Sequence, residues 1–297
     1  MKQKFKKGAI ALKIGPFNVR VQSEIESVQH GITQWYQDYP KLSLDTFCDF
    51  YIRVFQPSGL RRFFRKQALF AFDQFTPFKP LPYAQAFPFF EWGLNWCISG
   101  YSHQYLIIHA AVVEKNNKAL ILPGSPGSGK STLCAALINK NWRLLSDELT
   151  LIDCLTGNII PVPRPVSLKN ESIELIANTF PGNKFSPVIH DTLKGSVSLM
   201  KPPTESVLKA NNIALPYLVI FPKYQQHLNL QLTPLPKAEA FMKLADLSFN
   251  YSVLGAEGFE VLAKLVERSH VYDFIYDGDF DQASLCFEQL LNNDEHG

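Results

Sequence analysis

Gly124-Ser125-Pro126-Gly127-Ser128-Gly129-Lys130-Ser131-Thr132 stands between a short apolar run, Ala119 to Leu122, and a stretch from Ser131 to Asn139 whose apolar residues recur at helical spacing. Every defined position of the pattern G-x-x-x-x-G-K-[ST] is filled, and the flanks are the strand and the helix that such a loop requires. The residue types follow from the chemistry of an anion cradle. Glycines let successive backbone N–H groups turn inward around phosphate oxygens, and the first turn of the helix adds the positive end of its dipole. Lys130 is expected to reach the β- and γ-phosphates of a nucleoside triphosphate, ATP. The Ser131 hydroxyl is expected to meet a Mg²⁺ ion that bridges phosphate oxygens, with the whole run from Gly124 to Thr132 lining the nucleotide.

Upstream, Tyr105 to Val113 and Ala119 to Leu122 read as a strand pair joined at Lys115-Asn116-Asn117-Lys118. Downstream, Arg143 to Leu145 and Leu149 to Asp153 read as short strands, and Thr156-Gly157-Asn158 turns the chain into Ile159-Ile160. Leu144-Leu145-Ser146-Asp147-Glu148 closes the first strand after the loop's helix with an acidic pair, where a carboxylate would face the phosphates. Tyr217 to Phe221 reads as a late buried strand, and Phe259 to Glu267 and Asp281 to Leu291 as amphipathic helices. The texture is mixed α/β.

Before the loop, Gly8 to Gln22 suggests two short strands turning at Gly15-Pro16, with a helix after them. Thr46 to Phe55 reads as a strand, whereas Phe70 to Pro88 is broken by Pro77, Pro80, Pro82 and Pro88. The proline-rich stretch marks a boundary between a smaller N-terminal α+β domain, residues 1–88, and an α/β domain built round the loop, residues 89–297. Phe89 to Ser99 has helical spacing and is expected to pack against that second domain.

Composition narrows the function classes. The 297 residues carry 29 basic and 27 acidic side chains, so no global field draws the chain to nucleic acid, and only Lys2 to Lys7 forms a basic, solvated start. No apolar run approaches the ~20 residues of a membrane-spanning helix, and the apolar segment after the basic start is too short for a signal peptide; the expected location is the cytoplasm, without an integral membrane segment. Cys48, Cys97, Cys134, Cys154 and Cys286 are scattered without Cys-x-x-Cys spacing, and the histidines lack the i, i+4 spacing of a helical metal pair, so neither a disulfide framework nor a zinc site is expected.

With His109 on the strand before the loop and Asp147-Glu148 on the strand after its helix, the chain resembles the HPr serine kinase/phosphorylase family. The stretches Glu91 to Cys97, His109 to Val112, Arg164 to Asn170, Asp191 to Gly195 and Lys201 to Pro203 resemble its subgroup called HPr-kinase-related kinase A, over nearly the whole chain. That subgroup is associated with bacterial gene sets for exosortase-type protein sorting and exopolysaccharide production. The resemblance implies a P-loop kinase core of the HPr-kinase/PEP-carboxykinase-like type. It also implies catalytic roles for Lys130, for Asp147 as acceptor of a serine hydroxyl's proton and for His109 as its holder, with Ser131 and Glu148 on the metal.

Ala110 stands where the family has Gly, Glu148 where it has Asp, and Thr192-Leu193-Lys194-Gly195 where it has Glu-x-Arg-Gly. These departures weigh more against the reverse, phosphorylase reaction than against the kinase reaction. Arg164, Lys169, Lys194 and Lys201 are candidates for phosphate or acceptor contacts, since cations stabilise the charge spreading over a transferred phosphoryl group. The acceptor implied is a serine of a protein or peptide; a small-molecule kinase and a non-catalytic nucleotide-dependent binding module are the alternatives, and a homo-oligomer stays open.

Overall fold

A computed structural model describes residues 8–59, 64–125 and 127–292. The basic start Lys2 to Lys7, and Pro126 of the glycine-rich run, lie outside the described residues. The chain opens with β1 (Ala9–Ile14), β2 (Phe17–Ser23), α1 (Glu26–Trp35), β3 (Lys41–Leu42), β4 (Phe50–Phe55), β5 (Gln67–Phe72), β6 (Leu81–Pro82) and α2 (Ala86–Tyr101). These strands form one sheet in the order β3-β1-β2-β4-β5-β6.

The hairpin expected at Gly15-Pro16 is present, with Ile14 opposite Phe17. Strand β4 starts later than Thr46 to Phe55 suggests, because the Asp49 carboxylate is engaged by the backbone N–H of Asn18 at 2.7 Å. Alternation in β2 and β4 sends Val19, Val21, Ile52 and Val54 into the core under α1 and α2.

Helix α2 is longer than Phe89 to Ser99, and it is apolar round most of its circumference because it is buried. Sequence reading places it against the region that follows. It packs instead mainly on α1, β4 and β5, where Phe89 lies 5.8 Å from Phe70, ring centre to ring centre. Glu91 and Asn95 are the polar residues through which α2 meets the later chain.

The second part runs β7 (Tyr105–Lys115), β8 (Lys118–Pro123), α3 (Lys130–Ile138), β9 (Arg143–Ser146), β10 (Leu149–Asp153), β11 (Ile159–Ile160), β12 (Val166–Lys169), α4 (Glu171–Thr179), β13 (Ile189–Thr192), β14 (Gly195–Met200) and α5 (Thr204–Leu208). It ends with β15 (Leu215–Tyr224), β16 (Gln231–Pro234), α6 (Lys237–Asp246), α7 (Tyr251–Leu254), α8 (Ala256–Arg268), β17 (His270–Tyr276) and α9 (Phe280–Asn292). Strands order as β11-β10-β7-β8-β15-β17-β16 with β9 also on β7, and β12-β14-β13 make a separate small sheet. Strand β15 runs parallel to both β8 and β17, which gives the middle of the main sheet its α/β character. The β7–β8 turn takes Asn116 and Asn117 through positive φ (55° and 63°), a backbone Asn tolerates and that tight hairpins need.

Helices cover both faces of this sheet. Leu133, Leu137 and Phe287 of α3 and α9 bury on one face with Leu120, Leu122, Leu218 and Ile220, and Leu244, Leu262 and Leu265 of α6 and α8 on the other with Ile121 and Val219. Strand β7 shows the period of two: Leu106, Ile108, Ala110 and Val112 face the α6–α8 side. Its odd residues divide, Ile107 joining the N-terminal core and Ala111 and Val113 the α3 core, so His109 sits at the junction between them. Among the described residues, no helix is long and apolar enough to cross a membrane.

Candidate functional site

The glycine-rich loop leaves the end of β8 and runs straight into α3. Gly127 and Gly129 take φ of 91° and 89°, a backbone region closed to most side chains, and a Cβ on Gly129 would come within 2.6 Å of the Tyr276 hydroxyl oxygen. Tyr276 donates that hydroxyl to the Gly129 carbonyl at 3.2 Å, and the Tyr224 N–H reaches the Ser128 carbonyl at 3.3 Å, so the ends of β15 and β17 brace the loop from behind. No side chain caps α3. The N–H groups of its first turn are the unpaired donors that every helix start presents. Lys130, the first residue of the helix, is only 6% exposed and, among the described residues, belongs to no ion pair. Burial lowers its pKa, as expected for a cation that lacks a counter-ion in contact.

The acidic pair is placed by register. Ser146 stands opposite Val112 and Leu149 opposite His109, so β9 and β10 are two pieces of one strand along β7, broken at Asp147 and Glu148 beside Ala111 and Ala110. On its other edge β7 pairs Ala110 with Pro123, the residue before the loop. Loop and acidic pair therefore spring from opposite edges of β7, about 10 Å apart at two strand spacings.

Asp147 is 5% exposed. Its Oδ2 accepts the Ser167 backbone N–H at 2.9 Å, while its Oδ1 is buried without a hydrogen-bond partner. Burial first, and then the neighbouring Glu148 charge, push its pKa up to about 6 against the opposing pull of the Ser167 N–H, Lys130 and the Ser131 hydroxyl. Glu148 behaves oppositely. Burial works to raise its pKa too, but Lys194, Lys169 and Arg164 outweigh it and hold the group below the ordinary carboxylate value. The ammonium groups of Lys169 and Lys194 lie 3.9 Å and 3.8 Å from Glu148 Oε1, and the Asn95 amide donates to Oε2.

The structure brings Lys130, Ser131, Asp147, Glu148, Lys169 and Lys194 into one neighbourhood. His109 is in it too, but it makes no hydrogen bond to Asp147 among the described residues; its ring lies 5.7 Å from that of Phe249. Desolvation, reinforced by Lys130, depresses the His109 pKa to about 4, so it is a neutral imidazole at pH 7. Two cations named from the sequence already have carboxylate partners, Lys201 away from the acidic pair and Arg164 beside it. Lys201 is 2.6 Å from Asp38, and Arg164 is buried 3.2 Å from Glu91.

Sequence reasoning gave no site role to Glu91, Asn95, Ser167 or Tyr276, although the first three lie in stretches that carry the family resemblance. Glu91 and Asn95, a polar i, i+4 pair on an otherwise apolar helix, carried a signal that could have found them. Ser167 and Tyr276 carried none, since their roles come from where β12 and β17 end in space. Glu91 accepts the Tyr36 hydroxyl at 2.7 Å, and Tyr39 donates to the Pro163 carbonyl at 2.5 Å, which fastens the segment before Arg164 to the N-terminal layer.

No protein-family model matches the chain, and no curated protein matches it. Among solved structures, the Hpr(Ser) kinase/phosphatase from Coxiella burnetii is similar: 14% of residues are identical, 64% of this chain and 95% of that one are covered, and the TM-score is 0.29.

Proposed function

We propose that the protein is an ATP-dependent phosphotransferase that passes a phosphoryl group to a hydroxyl acceptor, as the sequence resemblance suggests. The observation that carries this reading is a buried Lys130 without an ion pair at the start of an uncapped helix, across one strand from a buried carboxylate with a free oxygen. The residues fit a phosphate chain: cation, unpaired helix N–H groups and positive-φ glycines converge where phosphate oxygens would supply the missing negative charge. A Mg²⁺ ion brought in with the nucleotide would be held at the start of α3, with the Ser131 hydroxyl as one ligand. Glu148 can be another once phosphate oxygens draw off Lys169 and Lys194; bound there, the ion would offset phosphate charge.

Asp147 takes the proton of the acceptor hydroxyl as the acceptor oxygen forms its bond to the terminal phosphorus. The phosphorus–oxygen bond to the leaving diphosphate breaks and its electron pair departs with that oxygen, where Lys130 and the α3 N–H groups meet the charge. A carboxylate with a pKa of about 6 is a better base near neutral pH than an ordinary one and is still mostly ionised there. Neutral His109 adds no positive charge to the site at pH 7 and leaves Glu148 to the lysines. A second reading, nucleotide-dependent partner binding without chemistry, is favoured by the two lysines and Asn95 already gathered on Glu148. Titration of the protein with MgATP, followed by a search for radiolabel transfer from γ-labelled ATP into protein and metabolite fractions, separates the readings. Binding without transfer to any acceptor supports the second, and absence of binding removes both.

A further inference from the structure

Strands β8, β15 and β17 run parallel and end at the same edge of the main sheet, but β15 overshoots its neighbour. Val219 is level with Ile121, close to the end of β8 at Pro123, whereas β15 continues to Tyr224. The excess of β15 is about 10 Å at 3.3 Å per residue, which lifts Tyr224 alongside the glycine-rich loop. Its N–H reaches the Ser128 carbonyl, and a Cβ built on Gly129 would stand 3.3 Å from the Tyr224 Cβ. By the period of two, Tyr224 shares a face with Leu218 and Ile220, the face that carries α3 and α9.

The Tyr224 ring is held from two sides. Its centre lies 5.9 Å from that of Tyr276 in an edge-on arrangement, and a Cβ on Gly278, just before α9, would stand 3.6 Å from it. The ring is nevertheless 46% exposed, while Tyr276, whose hydroxyl braces the loop, is 1% exposed. Tyr224 braces the loop through its backbone alone, so its ring has no part in that contact. The direction of a bound nucleotide then decides what meets the ring. The terminal phosphate has to reach the acidic pair, which lies across β7 on one side of β8, and the rest of the nucleotide trails to the opposite side, where β15 is the next strand. Open parallel sheets take their ligands at the carboxyl ends of the strands, and a nucleobase offers a flat, apolar face that aromatic rings stack upon.

We infer that Tyr224 is the stacking platform for the nucleobase of the bound nucleotide, so that the ends of β15 and β17 make the base subsite as β8 and α3 make the phosphate subsite. The inference rests on the phosphotransfer reading, which sets the direction of the nucleotide.

The test uses the full chain and two ligands, MgATP and magnesium tripolyphosphate, which has the phosphates without a base. Titration calorimetry is run on the wild type, Tyr224→Phe and Tyr224→Ala; both variants keep the backbone N–H that reaches Ser128. Tyr224→Ala is expected to weaken MgATP by about 10-fold, a difference of about 1.4 kcal/mol, and Tyr224→Phe, which keeps a ring, by less than about 2-fold. Tripolyphosphate should bind all three proteins alike. An equal loss of both ligands in Tyr224→Ala would make the residue a brace of the loop only, and unchanged MgATP affinity would overturn the inference outright. A second measurement does not depend on affinity: the magnesium complex of 2-aminopurine riboside triphosphate, whose emission is quenched when its base stacks, is brought to saturation on each protein. Quenching by the wild type and Tyr224→Phe that is lost in Tyr224→Ala supports the platform, and quenching that persists in Tyr224→Ala places the base elsewhere. The two readings fail separately: a wild type that binds MgATP with the same affinity as Tyr224→Ala sinks the base subsite alone, and a wild type that binds no MgATP sinks the phosphotransfer reading and the base subsite with it.

Discussion

The two sides of Asp147 are built from different materials. On the loop side the candidate contacts are backbone N–H groups and one buried lysine supplied by the contiguous run Gly124 to Thr132. On the far side they are side chains from α2, the β9–β10 break and β12, with two carboxylate–cation sets already in mutual contact. The loop side holds a buried lysine that, among the described residues, has no ion pair, whereas on the far side Glu91 and Glu148 already stand beside cations. A site made from local backbone can be read off a sequence because its geometry is a property of neighbouring residues. One made from distant side chains cannot, because it exists only once the layers pack.

The largest effect should come from the loop side. Lys130→Ala removes the buried cation at the start of α3, which Lys169 and Lys194, held at Glu148, do not replace at that position, and MgATP affinity should fall on the order of 10²-fold, about 2.8 kcal/mol. Isothermal titration on folded protein checks this. Unchanged affinity would falsify the phosphate-cradle reading and leave the two sides of Asp147 without distinct roles.

Asp147→Asn stands between the two sides, and it should separate binding from chemistry. The amide keeps the shape and an acceptor for the Ser167 N–H but cannot take a proton, so nucleotide affinity should persist while transfer falls by roughly 10²-fold or more. Single-turnover transfer to the identified acceptor provides the readout. A folded variant with normal turnover would reduce the carboxylate to a structural partner of β12.

The same variant should be more stable than the wild type at neutral pH, and this follows from the sign of the pKa shift. The folded-state pKa of Asp147, about 6, lies above its ordinary 3.8, so between these values the native state binds more protons than the unfolded one. Ionisation therefore costs the fold stability as pH rises through this window. Asn cannot ionise, so its advantage should be absent below about pH 4, grow to on the order of 3 kcal/mol by pH 7 and stay flat above. Denaturant unfolding at pH 4, 5, 6 and 7 measures it, and a stability difference independent of pH would mean that Asp147 is not held at a cost.

Much of the fold was legible. The β7–β8 pair, loop, α3 and the strands round the acidic pair fall where hydrophobic period and turn residues put them, because each element is a local pattern. Helix α2 was legible as a helix and misplaced in packing, since its aromatic residues do not say which neighbour they will meet. The β12–β14 sheet went unread because its strands are short and paired across long connections. Arg164 and Lys201 were visible as cations, but their partners Glu91 and Asp38 lie far away in the chain, so their engagement could not be foreseen.

The smallest effect is expected from Asn95, and it asks whether the N-terminal layer holds the acidic pair or merely touches it. The Asn95 amide donates to Glu148 Oε2, a hydrogen bond to an ionised acceptor, so Asn95→Ala should cost about 1.5 kcal/mol of stability at pH 7. The pH dependence identifies the partner. Glu148 is held below its ordinary 4.5, so its ionised contacts contribute fully above that value and fade as pH falls through the depressed folded value. The penalty of Asn95→Ala should therefore shrink by about half in acid, where a neutral carboxyl accepts a weaker bond. Turnover should fall only a few-fold at pH 7, because Lys169 and Lys194 still hold Glu148 from the other side. A penalty that does not vary with pH would assign Asn95 to packing alone, and a loss of turnover as large as that of Asp147→Asn would mean that α2 is part of the reacting centre itself.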